Sequence, residues 1–219
     1  MCDTPILMPT DDGLTLIADT QQIRGDFTRM LPRLKKNNLS GELLVRAAKI
    51  KDADHPLTAI DATAGLGEDS LLLAAAGFSV TLCERNPTVF ALLEDTVRRA
   101  AEIPELTEAV SRMQLHHGDS IAFMEQTEMT PDVILLDPMF PERQKSALVK
   151  KKLQMIQKLE TPCEDERALF LAAVSAAPKK LIVKRPPKGP HLADAKPDYA
   201  ITGKAVRYDC YVMPAGRTW

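Results

Sequence analysis

From residue 58 onward, short runs of aliphatic and β-branched residues alternate with stretches of helical spacing, and no other feature restricts the fold as tightly. The strand-like runs cover 58–64, 79–85, 113–119, 132–138 and 179–186. Between them, helical stretches begin near Glu68, Pro87, Ser120, Gln144 and Glu164, with Asn86 placed to cap the second and Pro87 in its first turn. Strands separated by helices become parallel neighbours, with the crossovers packed on the sheet's faces. The closing stretch, 199–213, breaks that rhythm: two strand-like runs meet at Gly203-Lys204 with no room for a helix. The expected fold is therefore α/β, a Rossmann-like, doubly wound, mostly parallel seven-stranded sheet with an antiparallel C-terminal hairpin.

Upstream, 13–19 can form a strand, 28–38 reads as a basic irregular segment, and 40–50 reads as a helix with Ser40 as its N-cap. The expected division is an N-terminal extension, 1–52, packing on a main domain, 53–219. At 219 residues and 45% hydrophobic content the chain can build one domain-sized core. Its longest apolar runs, such as 70–80, are too short and interrupted to cross a bilayer, and its first residues lack a basic segment followed by an apolar one. A cytoplasmic location is expected. Cys2, Cys83, Cys163 and Cys210 are scattered without a CxxC pair, which argues for reduced thiols and against a disulfide framework or a zinc site. The histidines, His55, His116, His117 and His191, show no metal-ligand spacing, and no metal is expected.

In a doubly wound sheet, ligands bind at the carboxyl ends of the strands, and the first strand-to-helix turn is the usual cradle. Here that turn is DATAGLGEDS, carrying Asp61, Thr63, Gly65, Gly67, Glu68, Asp69 and Ser70. Ser70 stands where the dinucleotide fingerprint has its last glycine or alanine, and the acids would repel a pyrophosphate. S-adenosylmethionine, with a sulfonium, an ammonium and one carboxylate, suits an acidic turn better. Glu84 closes the second strand where it can accept from both ribose hydroxyls, a placement equally compatible with NAD. The acids can also serve simply as favourable partners of a helix N-terminus. Asp119 and Ser120 follow the third strand, either at the adenine or as a plain helix cap.

The segment DVILLDPMFPE says more. A buried strand delivers Asp137, Pro138, Met139 and Phe140 to the same edge as the glycine turn. This resembles the Asp/Asn-Pro-Pro-Tyr/Phe motif of methyltransferases that modify exocyclic amines of bases, with Met139 in place of the second proline. An aromatic amine is a poor nucleophile because its lone pair is delocalised into the ring. A site acting on it must accept its hydrogens, as the Asp137 carboxylate and Pro138 carbonyl can, and must hold the base in line, as stacking on Phe140 can. As a purely structural segment, the same residues would give an N-cap, loop prolines and a core phenylalanine.

Together, DATAGLGEDS, LCERNP, LLDPMFPERQKSALVKK, VKRP and the closing RYDCY make the chain similar to the ribosomal RNA small-subunit methyltransferase J family from about Gly13 onward. The resemblance implies a class I methyltransferase fold, S-adenosylmethionine as cofactor, and methyl transfer to the N2 atom of a guanine in 16S ribosomal RNA, presented as RNA or as the small ribosomal subunit. It places cofactor contacts on Glu68, Asp69, Glu84, Arg85, Asp119, Ser120 and Asp137. The family's turn often carries Arg-Asp where this chain has Glu68-Asp69, and a glycine-rich basic segment upstream is replaced by TRMLPRLKKNNLSGE.

With 28 Lys and Arg against 30 Asp and Glu, net charge −2, RNA must be held by a local patch. Candidates are Arg29, Arg33 and Lys35 upstream, Arg143, Lys145, Lys150 and Lys151 after the Asp137 motif, and Lys184 and Arg185 at the end of the fifth strand. Phosphate contacts of this kind position an RNA and say little about its sequence. The competing possibilities are a methyltransferase acting on another RNA, DNA or a small molecule, and a non-catalytic RNA-binding assembly factor. Oligomeric state has no sequence signal here.

Overall fold

The computed structural model describes residues 5–18, 21–51, 53–138 and 166–213. The chain opens with an antiparallel sheet of β1 (Ile6–Thr10), β2 (Gly13–Ala18) and β3 (Gln21–Ile23). Only β2 carries a strand signal in the sequence. β1 contains a proline and β3 is a single short edge. Beyond its own ladders, this sheet is fastened to the later core: Leu14 N–H donates to Asp95 Oδ2 (2.9 Å), and Arg99 donates from Nε to the same oxygen (2.7 Å) and from a guanidinium NH2 to the Gly25 carbonyl (2.7 Å).

The segment expected to be irregular instead forms a 3-10 turn, Phe27–Met30, and two single-turn helices, α1 (Leu31–Leu34) and α2 (Lys36–Leu39). Asp26 caps the 3-10 turn through Thr28 N–H, and Phe27 and Met30 are buried. Apolar residues interspersed among the cations drive this: they bury, and the cations are left outside. Helix α3 runs Leu43–Ala48 with Glu42, not Ser40, at its N-cap. Ser40 closes α2, because the Leu39–Ser40–Gly41 turn is needed to redirect the chain before α3 can start. The far end of α3 is held by Lys180, whose ammonium donates to the carbonyls of Ala47 and Lys49, each at 2.8 Å.

The main sheet contains β4 (Thr58–Asp61), β5 (Ser79–Glu84), β6 (Met113–His117), β7 (Val133–Leu136), β8 (Lys180–Arg185), β9 (Tyr199–Thr202) and β10 (Arg207–Val212), in the order β6-β5-β4-β7-β8-β10-β9. The pairs β6-β5, β5-β4, β4-β7 and β7-β8 are parallel; β8-β10 and β10-β9 are antiparallel, as the hairpin pattern requires. Every residue of β7 is inaccessible to solvent, consistent with a central parallel strand covered on both faces.

One face is covered by α3, α4 (Glu68–Ala75), α5 (Pro87–Ala101) and α6 (Pro104–Val110), packed on Ala59, Val80, Leu82, Val133, Leu135 and Ile182. The other is covered by α7 (Ser120–Gln126) and α8 (Glu166–Ser175), packed on Ile60, Cys83, Ile134, Leu136, Leu181 and Val183. The helix starts at Glu68, Pro87 and Ser120 fall where the sequence places them. Asn86 accepts from the N–H groups of Thr88 (2.9 Å) and Val89 (3.2 Å). Helix α6 has no counterpart among the sequence expectations, and the helix expected near Gln144 lies outside the described residues. β4 has β5 on one side and β7 on the other, so the chain changes winding direction at its carboxyl end, the place where doubly wound sheets bind their ligands.

Candidate active site

The β4–α4 turn is shaped by two glycines in left-handed conformation, Gly65 at φ +54° and Gly67 at φ +79°. A Cβ on Gly67 would lie 2.7 Å from Leu93 Cδ1 and 3.1 Å from Phe27 Cζ, so this position admits only glycine against the core. A Cβ on Gly65 would meet nothing within 4 Å. The turn is thus closed beneath and open above, the shape needed to bring backbone against a ligand. Beside this opening lies Glu84, buried at the end of β5, accepting from Gly65 N–H (3.1 Å) and Asn86 N–H (2.8 Å). Burial raises its carboxyl above the ordinary range, and the two backbone donors oppose that rise. The carboxylate's four lone pairs exceed these donors, leaving room to accept from a hydroxyl.

Below the turn, Asp61 is fully enclosed. It accepts from the Ser70 hydroxyl (2.6 Å) and from Thr63 N–H (3.1 Å). Burial pushes its carboxyl up to about 7, with Ser70 opposing and the neighbouring Asp69 reinforcing the rise. Ser70, the departure from the dinucleotide fingerprint, therefore has a defined role: it holds Asp61. Thr63 turns the other way, its hydroxyl oxygen accepting from the backbone N–H of Asp137 at 2.6 Å. That bond ties the glycine turn after β4 to the Asp-Pro segment after β7. Pro138 is buried and Asp137 half-buried, while Phe140 lies outside the described residues.

Asp69 and Asp137 converge on one cation. Lys184 Nζ lies 2.5 Å from Asp69 Oδ2 and 2.9 Å from Asp137 Oδ2. Burial works against this ammonium, but the two carboxylates outweigh it and hold it well above the usual lysine range. Lys184 is thereby engaged inside the site and not offered to an RNA backbone. Arg185 is likewise not a surface cation: its side chain is buried, donating from Nε to the Pro190 carbonyl (3.0 Å) and pairing with Glu166 at 3.3 Å. Adjacent residues of a strand point to opposite faces, so the Lys-Arg pair that reads as one basic patch in sequence is divided between the two sides of the sheet.

Of the other basic candidates, Arg33 is neutralised by a two-pronged contact with Glu42, both bonds 2.7 Å. Arg29 is 74% exposed and 3.2 Å from Asp26, and Lys35 is exposed. Arg143, Lys145, Lys150 and Lys151 lie outside the described residues. Glu68 and Arg85 are exposed at the rim. Asp119 caps α7, its Oδ1 accepting from Ile121 (2.7 Å) and Ala122 (3.2 Å), and Ser120 begins that helix.

Two further residues of the site become visible only in the fold. Tyr208 on β10 sits directly across from Lys184 on β8, is buried, and shares the electrostatic environment of Asp69, Lys184 and Asp137. The closing RYDCY carries it, but only the antiparallel register reveals which of its residues faces the site. His117 at the end of β6 stacks on Phe90, ring centroids 4.6 Å apart and planes within 20°. Cys83 and Cys210 are buried free thiols raised by burial to about 12 and about 11, which leaves them protonated and unreactive. Cys2 and Cys163 lie outside the described residues. Among the described residues, no group of three or more His, Cys, Asp or Glu is placed to hold a metal ion, and no helix is long and apolar enough to cross a membrane.

The open glycine turn, the buried acceptor Glu84 and the acids Asp69 and Asp137 fit a cofactor with ribose hydroxyls and positive charge. Comparison with known proteins points the same way. Residues 3–213 match a family described as "Putative SAM-dependent methyltransferase". The chain is 40% identical to the ribosomal RNA small subunit methyltransferase J of Neisseria meningitidis serogroup C, over 97% of this chain and 89% of that protein. It is 46% identical to the protein of the same name from Aeromonas hydrophila, over 80% of this chain and 71% of the other. The crystal structure of a SAM-dependent methyltransferase from Neisseria gonorrhoeae superposes with a TM-score of 0.76 at 33% identity, covering 96% of this chain and 84% of that one.

Proposed function

The chain belongs to the ribosomal RNA small subunit methyltransferase J family of S-adenosylmethionine-dependent methyltransferases, and from that premise we propose that it methylates the exocyclic N2 amine of a guanine in 16S ribosomal RNA. The observation that carries this is the bond from Asp137 N–H to Thr63 Oγ1, which holds an amine-accepting Asp-Pro segment against the glycine turn. Glu84 and the backbone around Gly65 would hold the ribose, with Asp119 and Ser120 toward the adenine and Glu68, Asp69 and Arg85 completing the cradle around Asp61 and Thr63. When bound, S-adenosylmethionine supplies an electrophilic methyl group, the S–C bond's electron pair returning to sulfur as the amine's pair forms the new N–C bond.

The chain's own part is positioning and proton management. The Asp137 carboxylate and the Pro138 carbonyl accept the amine's two hydrogens, turning its nitrogen toward the methyl group. Phe140, by its place in the motif, would stack on the guanine. Asp137 then takes the proton that the methylated nitrogen releases and passes it to water. A guanine within a helix must leave its stack to enter this crevice. Exposed Arg29 and Lys35, with Arg143, Lys145, Lys150 and Lys151, would contact phosphates and set the RNA's register. A cytoplasmic enzyme meeting the small subunit or its RNA is the setting this reading requires.

The test is incubation with methyl-labelled S-adenosylmethionine and small ribosomal subunits lacking the endogenous modification, followed by mass spectrometry of nucleosides. Label in N2-methylguanosine is expected. Label in another nucleoside would overturn the guanine-N2 assignment. If subunits and free 16S RNA both stayed unlabelled while the protein bound cofactor, the ribosomal acceptor would be wrong.

A further inference from the structure

Lys184 stands out in the site because its position is hard to explain as mere surface charge. It ends β8 on the face that carries Ile182, with Tyr208 directly across from it and α4 above. Its ammonium reaches Asp69 on the first turn of α4 and Asp137 after β7, elements that no other described ion pair joins. We propose that Lys184 is a positioning residue of the methyl-transfer site: its ammonium clamps Asp69 and Asp137 together and keeps Asp137 ionised, so that Asp137 accepts hydrogens and then the proton from the target amine. This rests on the function proposed above and adds a residue to it.

The need for such a clamp follows from the charges that face Asp137. Asp69 from α4 and Asp61 from β4 are acids, and Tyr208 from β10 brings a buried phenol. Arg185 lies farther off on the opposite face of β8, and Arg33, which feels Asp69 and Tyr208, is already paired with Glu42. Burial and Asp69 raise the Asp137 carboxyl, while Lys184 gives the strongest opposition to that rise. Without the ammonium, two acids would face each other across the entry to the crevice, and one would take up a proton. A protonated Asp137 carries an O–H donor in place of an acceptor and so loses a site for accepting the amine's hydrogens.

The experiment compares wild-type protein with Lys184→Met and Lys184→Arg in two measurements. The first is the pH profile of methyl transfer on undermodified small subunits. Wild-type activity should rise with pH to a plateau. In Lys184→Met the acid limb should move upward by about one pH unit or more, with activity depressed at neutral pH and recovering at alkaline pH, and Lys184→Arg should return the limb close to wild type. A uniform loss at every pH with an unmoved limb would overturn the proposal, since it would make Lys184 a merely structural residue.

The second measurement needs no activity. Carboxyl-carbon NMR of 13C-labelled aspartate, with the Asp137 signal assigned from Asp137→Asn, reads the ionisation of Asp137 directly. Lys184→Met should raise its midpoint and Lys184→Arg should not. An Asp137 midpoint unchanged in Lys184→Met refutes the clamp. If wild type failed to methylate ribosomal RNA while the NMR midpoint moved as expected, the acceptor would be wrong and the clamp would stand. Should Lys184→Met fail to fold, Lys184→Gln carries the same two readings.

Discussion

The strand β7 has an aspartate at each end, and the two live in opposite circumstances. Asp132, before the strand, is almost inaccessible. Yet it is met by Lys179 Nζ at 2.9 Å and His55 Nε2 at 2.9 Å, and it accepts from Thr58 N–H at 2.8 Å. Burial alone would raise it, but those three partners together lower its carboxyl below the ordinary range. Asp137, after the strand, is half-exposed and shares a single ammonium with Asp69; burial and that neighbouring acid raise it. One acid is fully satisfied and fastens the sheet's amino edge. The other is left with unmet demand, and a carboxylate in that condition has something to offer a substrate.

The comparison breaks most visibly in activity. Asp137→Asn keeps the shape but not the charge, and methyl transfer should fall by on the order of 10²- to 10⁴-fold, the range typical of a positioned acid or base. Its melting temperature should hold or rise, because an acid whose folded pKa is raised costs stability when ionised. A variant with normal turnover would return Asp137 to the loop. The opposite pattern is expected of Asp132→Ala. Stability should drop by about 2 kcal/mol, since Thr58 N–H and Lys179 lose a shared buried acceptor. That corresponds to roughly 4–8 °C in melting temperature for a chain of this size. Turnover of the folded protein should stay near wild type. An inactive Asp132→Ala with an unchanged melting curve would abolish the distinction between the two ends.

Both acids stand in one readable segment, DVILLDP, yet only the second was picked out from sequence. The reason is physical. An Asp followed by Pro at a strand's carboxyl end lies where ligands bind, whereas the worth of Asp132 depends on His55 and Lys179, which are distant in the chain and brought together by the fold. The same division runs through the molecule. The alternating apolar runs of β4 to β8 and the Asn86-Pro87 cap were legible because their signals are local. The sheet of β1 to β3 was not, since its strands are short and held by Asp95 and Arg99 from α5. VKRP reads in sequence as one basic patch, although strand geometry alone divides Lys184 from Arg185. Which face each one takes follows from the pairing of β8 with β10. What the sequence hides is therefore partner choice, together with the short elements, such as β1, β3 and α6, whose formation depends on it.

Asp61 sharpens the contrast from the carboxyl edge. With its folded pKa raised to about 7 and an unfolded value near 3.9, it takes up a proton on folding, so its stabilising contribution is complete below about pH 4 and is lost as pH rises to about 7. Asp61→Asn lacks that titration. Its melting temperature relative to wild type should therefore climb by a few degrees between pH 4.5 and 7.5, while cofactor affinity falls because the amide can accept from only one of Ser70 and Thr63. A difference that stays flat with pH would mean Asp61 is ionised throughout.

At the amino edge the corresponding titration belongs to His55, and it should be small. Its imidazole is raised by its bonds to Asp54 and Asp132 and opposed by the nearby Lys179. A raised histidine contributes stability that is present below its unfolded value near 6.5 and is lost as pH passes its folded value. His55 is exposed, however, and when it loses its proton Lys179 still holds Asp132. His55→Gln should thus lower the melting temperature by only about one degree at pH 6 and by less at pH 8.5. A loss that persists unchanged at pH 8.5 would show the neutral ring to be sufficient, leaving Lys179 and Thr58 to set the charge state of Asp132.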